Sequence, residues 1–482
     1  MISDHLTYLI REHLHHVPTA EQEQAIGVVA RFLTDRSTTA CMVLRGAAGT
    51  GKTTLAAAIV KALTQVKQKL MLMAPTGRAA KVFAINAGQH ATTIHRRIYR
   101  QRSAADFSAF NLNDNLHHDT LFIVDEASMI STATDSTFGS GNVLDDLIRY
   151  VYQGHNCRLM LIGDTAQLPP VGQACSPALA TSVLQGYGLD IHEATLSEVL
   201  RQSHESGILY NATVVRTAIP AGDDSGDNAI QLPKILFRGF TDIVCVNGDE
   251  LIETLASSYS RVGTDETMVI TRSNKRAVIY NRGIRNTVLD REEELCRGDQ
   301  LMIVKNNYFW SEKLRDDDGN VLLPFLANGD SCVVQRVRNI HELYGFRFAD
   351  ITFTLPDYDD LELTVTALLD TLAAEAPALT REQQEQLFNN VMDDYADIPL
   401  KPDRMKALRA DRHYNALQLK YGYAVTCHKA QGGQWAHVYI DQGYITDDML
   451  RPDYLHWLYT AITRATEKVF LVNWPAAQTA NP

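Results

Sequence analysis

The stretch "LRGAAGTGKTTL" (Leu44–Leu55) constrains this chain more than any other. Its pattern Gly46-x-x-x-x-Gly51-Lys52-Thr53 follows a short apolar run, Met42–Leu44, and opens a segment of strong helix formers, "KTTLAAAIVKAL". Strand, glycine loop and helix in that order make a phosphate cradle. Backbone N–H groups turn inward at phosphate oxygens, and glycines leave no side chain in the way. The phosphates then meet a helix N-terminus. Gly46, Gly49, Thr50, Gly51, Lys52, Thr53 and Thr54 are therefore the expected nucleotide-binding residues. Lys52 supplies charge to the β- and γ-phosphates, and the Thr53 hydroxyl is placed for Mg²⁺. A loop of this kind does not by itself choose between kinase, GTPase, transporter ATPase and motor.

Three further apolar runs, "KLMLMAPT", "LFIVDEAS" and "RLMLIGDT", each end in a polar cluster. That is the rhythm of a parallel α/β sheet whose ligands gather at the strand C-termini. Asp125 and Glu126 close the second of these runs. Asp125 would hold Mg²⁺, and Glu126 would orient and deprotonate an attacking water. A base for water is not needed in transfer to a substrate, so the pair points to hydrolysis. In "LIGDTAQLPPVG" (161–172), Gln167 lies where an amide can reach a γ-phosphate.

A length of 482 residues allows about three domains. No apolar run approaches the roughly 20 residues of a bilayer span. The start, "MISDHLTYLIREHLHH", is too charged for a secretory signal. Seven cysteines with no CxxC pair suit reduced thiols, so a cytoplasmic, non-membrane protein is expected. The net charge of −12 counts against avid non-specific binding to nucleic acid. It leaves room for a narrow basic channel, with local basic stretches at 94–102, 271–285 and 401–412. An acidic, turn-rich linker is expected at 219–229. A hairpin-like insertion is expected at 96–120, turning at Asn113-Asp114-Asn115. Alternating strands begin near 331, a polar helical stretch spans 365–420, and the α/β texture returns after Lys420. The β module is thus inserted into a second α/β domain.

Eight motifs, "GAAGTGKTT", "APTGRAA", "TTIH", "VDEASM", "GDTAQLPPVG", "LRQ", "VTCHKAQG" and "YTAITRA", stand in order along almost the whole chain. In this the sequence resembles the superfamily-one helicases, most of all the RecD/Dda branch that includes the Pif-type enzymes. The resemblance implies two RecA-like P-loop domains in tandem. The first would be 1–218, with its 96–120 insertion. The second would be 230–330 with 421–482, carrying an SH3-like β module and helices at 331–420.

The resemblance also implies roles for single residues. Gln22 would read the adenine edge, since an amide both donates and accepts. Arg201 and Arg464 would close on the γ-phosphate, a task that suits the fixed guanidinium fork. Thr76, Gly77, Thr93 and His95 would contact strand phosphates from the first domain. Thr426, His428, Lys429, Gln431 and Gly432 would do so from the second. Trp435 and Phe83 are possible stacking surfaces, and Phe107 or Phe110 a possible wedge, with ordinary core packing the competing reading for each. The expected activity is an ATP-dependent DNA helicase moving 5′ to 3′ on single strands and at duplex junctions, with ATP and Mg²⁺ as cofactors. Replication or repair proteins are possible partners, and a monomer is expected because both arginines come from one chain. The alternatives are an RNA or RNA–DNA helicase of the same chemistry and a non-catalytic nucleic-acid-binding subunit.

Overall fold

The computed structural model describes the chain except for residues 1, 15, 104–105, 134–138, 200–204, 221–231, 312–322, 324, 446–449 and 481–482, with backbone alone at 101–103 and 106–109. The linker expected at 219–229 falls largely outside the described residues.

The apolar runs become parallel strands buried on both faces, which is why they read as unbroken hydrophobic stretches. In the first lobe six strands lie in the order Ala91–Thr93, Lys69–Ala74, Thr120–Val124, Arg158–Gly163, Ala40–Gly46 and Asp190–Leu196. All neighbours are parallel. The helix Lys52–Gln65 packs Leu55, Ile59, Val60 and Leu63 into the core. The second lobe is a five-stranded parallel sheet in the order Ala424–Thr426, Thr267–Thr271, Trp435–Asp441, Ala465–Val472 and Ile243–Val246. The two α/β lobes match the tandem architecture expected.

Within the second lobe, between its strands Thr267–Thr271 and Ala424–Thr426, the chain forms a closed barrel of Gln300–Ile303, Ser331–Leu343, Phe346–Leu355, Leu361–Leu368 and Leu417–Tyr421. Its strands reach beyond the expected 331–420. The short run "QLMI" closes the barrel by pairing with both Ser331–Leu343 and Leu417–Tyr421. Only Gly422 and Tyr423 separate the last barrel strand from the second lobe's edge strand. Barrel and second lobe share one apolar core, joining Ile351 and Val365 to Val269 and Val472. Buried Asp299 rivets the junction. It accepts from Arg285 at 3.0 Å, from Arg291 at 2.6 Å and from the Tyr423 hydroxyl at 2.9 Å.

The polar helical stretch resolves into Arg381–Asp394, opened by a capping box at Thr380 and Gln383, and Lys401–Ala410. Leu387, Val391 and Leu408 seat the pair against Phe346, Phe348 and Leu368 of the barrel.

The first-lobe hairpin pairs Tyr99–Ser103 with Asp106–Leu112. Both strands precede the Asn113-Asp114-Asn115 cluster expected to make the bend, so that cluster does not join them. That cluster serves another end: the Asn115 amide donates to the Tyr150 and Val151 carbonyls at 2.9 and 3.1 Å. It thereby satisfies the last turn of the helix Val143–Gln153.

Candidate nucleotide cleft and strand path

The phosphate loop has the backbone its sequence demands. Gly49 and Gly51 have φ of +77° and +74°, a region L side chains seldom occupy. Gly46 is held to glycine by space, because an added Cβ would lie 3.0 Å from the Lys52 Cβ. Thr50 is buried and ties its hydroxyl to the Ala47 carbonyl at 2.8 Å. No side chain caps the helix Lys52–Gln65, so its first N–H groups stay available to an anion.

Lys52, Asp125, Glu126 and Asp164 come together beside this loop. Burial and the Glu126 charge raise the Asp125 carboxyl, while Lys52 draws it down. Burial raises Asp164 as well, opposed by Lys52 and by the Tyr459 hydroxyl. Glu126 has φ +52°, strained for a non-glycine residue at the end of a strand. Its Oε2 is buried with no hydrogen-bond partner among the described residues, and so is Oε1 of Gln167. Orphaned buried acceptors beside a glycine cradle suit a ligand that brings donors, such as a water or a hydrated cation.

The second lobe reaches this cleft with the helix Pro452–Ile462. Residues 456, 459 and 460 share a helical face, being three and four apart. The Tyr459 hydroxyl accepts from the Ala48 N–H at 2.8 Å and donates to Asp164 at 2.6 Å. The Thr460 hydroxyl accepts from the Leu168 N–H at 2.7 Å, and the His456 ring meets the Ala166 carbonyl at 2.9 Å. Gln431 donates to the Leu168 carbonyl at 2.6 Å. The loop at 164–168 is therefore gripped from the far lobe.

Two expected cleft residues stand differently. Gln22 is fully buried, and its amide is already engaged, donating to the Thr50 carbonyl at 2.9 Å and accepting from the Thr19 N–H at 3.1 Å. Arg464 is buried and folds back on its own lobe, donating to the carbonyls of Thr460 and Gly433 at 3.1 and 3.2 Å. Arg201 lies outside the described residues.

Of the expected strand contacts, Thr76 and Thr93 cap helices, accepting from Ala79 and Arg96 N–H groups at 3.2 Å each. Thr426 heads the short helix Cys427–Ala430 without a capping bond. His428 is exposed there, while burial lowers the pKa of neighbouring Lys429. The loops of the two lobes meet: at Gly432, where φ is +74°, a Cβ would stand 2.9 Å from the Thr76 hydroxyl. Gly77 faces the barrel, where a Cβ would fall 2.6 Å from the Tyr358 hydroxyl. His95 sits among rings, 5.6 Å from Tyr99 and 6.3 Å from Phe325. Lys420 of the barrel is pushed down to about 8 by burial and by the nearby charge of Lys429.

The aromatic candidates resolve towards packing. Phe83 belongs to the first-lobe core, and Trp435 is buried beneath the Arg78 guanidinium, 4.4 Å from its ring centre. Phe110 is buried against Tyr308, centroids 4.6 Å apart, so it is not a free wedge. The Phe107 side chain lies outside the described residues.

A family model described as an AAA domain matches residues 19–223, and one described as a UvrD-like helicase C-terminal domain matches 421–472. Those two segments hold the loop at Lys52 and the helix bearing Tyr459. The ATP-dependent RecD2 DNA helicase of Deinococcus radiodurans is 24% identical over 439 residues, 89% of this chain and 46% of that protein. The ATP-dependent DNA helicase dda of Enterobacteria phage T4 is 23% identical over 318 residues, 65% of this chain and 66% of that protein. The chain is similar to the superfamily-one helicases of the RecD/Dda/Pif-like branch. It spans about half the length of its RecD2 relative. A crystal structure of Pif1 helicase from Bacteroides in complex with ADP-AlF3 and ssDNA covers 97% of this chain and 95% of its own at 16% identity, with a TM-score of 0.47.

The cleft holds two residues that the quoted motifs contain but that sequence reasoning passed over, Asp164 and Tyr459. Both lie inside quoted motifs, in "GDTAQ" and "YTAITRA". A tyrosine on a largely apolar helix, sharing its face with His456 and Thr460, was the available signal, because a buried hydroxyl needs a partner.

Proposed function

We propose that this chain hydrolyses ATP to move 5′ to 3′ along single-stranded DNA and to part duplex at junctions. The observation that carries the reading is the Tyr459 hydroxyl, which bridges the phosphate loop at Ala48 and the acidic Asp164 from the opposite lobe. A second-lobe residue seated in the hydrolysis site lets nucleotide state bias how the lobes meet.

In this reading Lys52 and the glycine-loop N–H groups bind the phosphates. Glu126, with its unpartnered Oε2, positions a water and takes its proton. Thr53 and Asp125 would hold Mg²⁺, which when bound neutralises phosphate charge. Arg464 leaves the carbonyls of Thr460 and Gly433 and turns to the γ-phosphate as the lobes close. Thr76, Gly77, Thr93, His95, Thr426, His428, Lys429 and Gly432 line the strand path between lobes. Backbone contacts of this type read no bases, which suits a translocase.

ATPase rates with and without single-stranded DNA or RNA, followed by unwinding of 5′- and 3′-tailed duplexes, test the proposal. Stimulation by DNA that falls as salt rises, with unwinding only from a 5′ tail, is expected. A rate indifferent to both nucleic acids overturns the motor reading, and stimulation by RNA alone changes its substrate.

A further inference from the structure

Gly77 heads the first-lobe helix Gly77–Ala87 and is an expected strand contact, yet it is buried. What covers it is the barrel. The turn Pro356–Tyr358, between Phe346–Leu355 and Leu361–Leu368, lies on that helix. An added Cβ at Gly77 would stand 2.6 Å from the Tyr358 hydroxyl and 3.3 Å from Oδ1 of Asp330. The two barrel residues hold each other in place. The Tyr358 hydroxyl donates to Asp330 Oδ1 at 3.1 Å, and the Ala327 N–H donates to Oδ2 at 2.8 Å. On the other side the Thr76 hydroxyl is closed in by Gly432 of the second lobe, as described above.

The cover is charged as well as close. Asp357 is half-buried in the turn, and the charges of Arg78 and Lys81 on the covered helix draw its carboxyl down against the effect of burial. Lys81 also donates to the Pro356 carbonyl. Asp330 is buried at the head of the same helix. Two barrel carboxylates therefore face a helix N-terminus and the cations of its first turns, an environment that favours negative charge. The barrel does not move alone. It shares one apolar core with the second lobe, and Asp299 bonds both sides of their junction. A swing of the second lobe away from the first carries Tyr358 with it.

We propose that Pro356–Tyr358 and Asp330 form an autoinhibitory latch, which keeps a DNA strand off Gly77 until barrel and second lobe swing away from the first lobe. The inference rests on the strand path proposed above, and adds that the chain's own acidic turn closes that path in this state. A phosphate cannot reach Gly77 while the Tyr358 hydroxyl stands over it. Opening therefore precedes engagement, and the apparent strand affinity is lowered by the fraction of molecules that are open.

The test measures binding of a fluorescent thymidine oligonucleotide to the full chain. Asp357→Asn combined with Tyr358→Ala removes charge and cover while leaving every proposed strand and nucleotide residue in place. Binding should tighten about tenfold, as when an open fraction of about a tenth becomes nearly complete, with ATP affinity unchanged. Asp357→Asn alone keeps the ring over Gly77 and should tighten binding by a smaller factor. A second measurement needs no change to the latch: spin labels at the exposed Ile85 and Asp360 report the separation of helix and turn, which should grow when the oligonucleotide is added. Unchanged or weaker binding by the double variant, or an unchanged separation in a chain that binds the oligonucleotide, overturns the latch and leaves the motor reading standing. Failure of parent and variants alike to bind single-stranded DNA overturns both.

Discussion

The hydroxyl of Tyr459 lies 2.6 Å from the carboxylate of Asp164, and the two residues belong to different lobes. The same oxygen accepts the Ala48 N–H of the phosphate loop. One phenol therefore ties second lobe, loop and acidic cluster. Tyr459→Phe keeps the ring and removes both bonds, leaving a buried acceptor and a loop N–H unpaired. The expected stability loss is about 1–3 kcal/mol. Chemical denaturation reads the stability. ATPase kinetics at saturating single-stranded DNA should show a lower kcat with little change in the KM for ATP.

Glu126→Gln should preserve nucleotide binding while lowering turnover by roughly 10²–10⁴, the usual worth of a positioned general base. Its buried Oε2 has no protein partner to lose among the described residues, so folding should be spared. Nucleotide affinity by calorimetry and single-turnover hydrolysis together check this.

Asp299 is fully buried under Arg285 and Arg291 where barrel joins second lobe. Asp299→Ala would strand the buried Arg285 charge, and such breaks cost about 3–5 kcal/mol. A fall of that size in unfolding free energy is expected, whereas the exposed pair Arg381–Glu385 should give well under 1 kcal/mol when broken.

Asp330 provides a pH signature. Burial pushes its carboxyl up to about 7, opposed by the Ala327 N–H and the Tyr358 hydroxyl. A carboxyl raised on folding favours the protonated folded state. Its stabilisation is complete below the unfolded value near 4, declines as pH rises through that interval, and is gone above about 7. Asp330→Asn should therefore flatten the stability profile between pH 4 and 7 relative to the parent. Denaturation at pH 5 and pH 8 on both proteins measures the difference.

The two lobes were legible because doubly buried parallel strands leave unbroken apolar runs, and the polar residues that end them supply Lys52, Asp125, Glu126 and Gln167. The barrel was legible in its long alternating strands but not in its start at Gln300, since a four-residue run carries too little period to declare a partner. The hairpin turn was misplaced because Asn-rich clusters suit turns and helix-end carbonyls equally, and Asn115 serves the carbonyls of Tyr150 and Val151. The Gln22 and Gln431 amides were expected at ligands. Both meet backbone carbonyls here, at Thr50 and Leu168, a pairing that only tertiary contact reveals.

The central claim is that the second lobe governs hydrolysis in the first, and Arg464 is where it is most exposed to contradiction. Its guanidinium now rests on the Thr460 and Gly433 carbonyls, so Arg464→Ala removes no contact to the phosphate loop in this state. The decisive measurement is kcat for DNA-stimulated ATP hydrolysis by that variant, alongside its nucleotide affinity. The account predicts a fall of at least about a thousandfold with nucleotide binding retained. An unchanged kcat in a folded variant would contradict it.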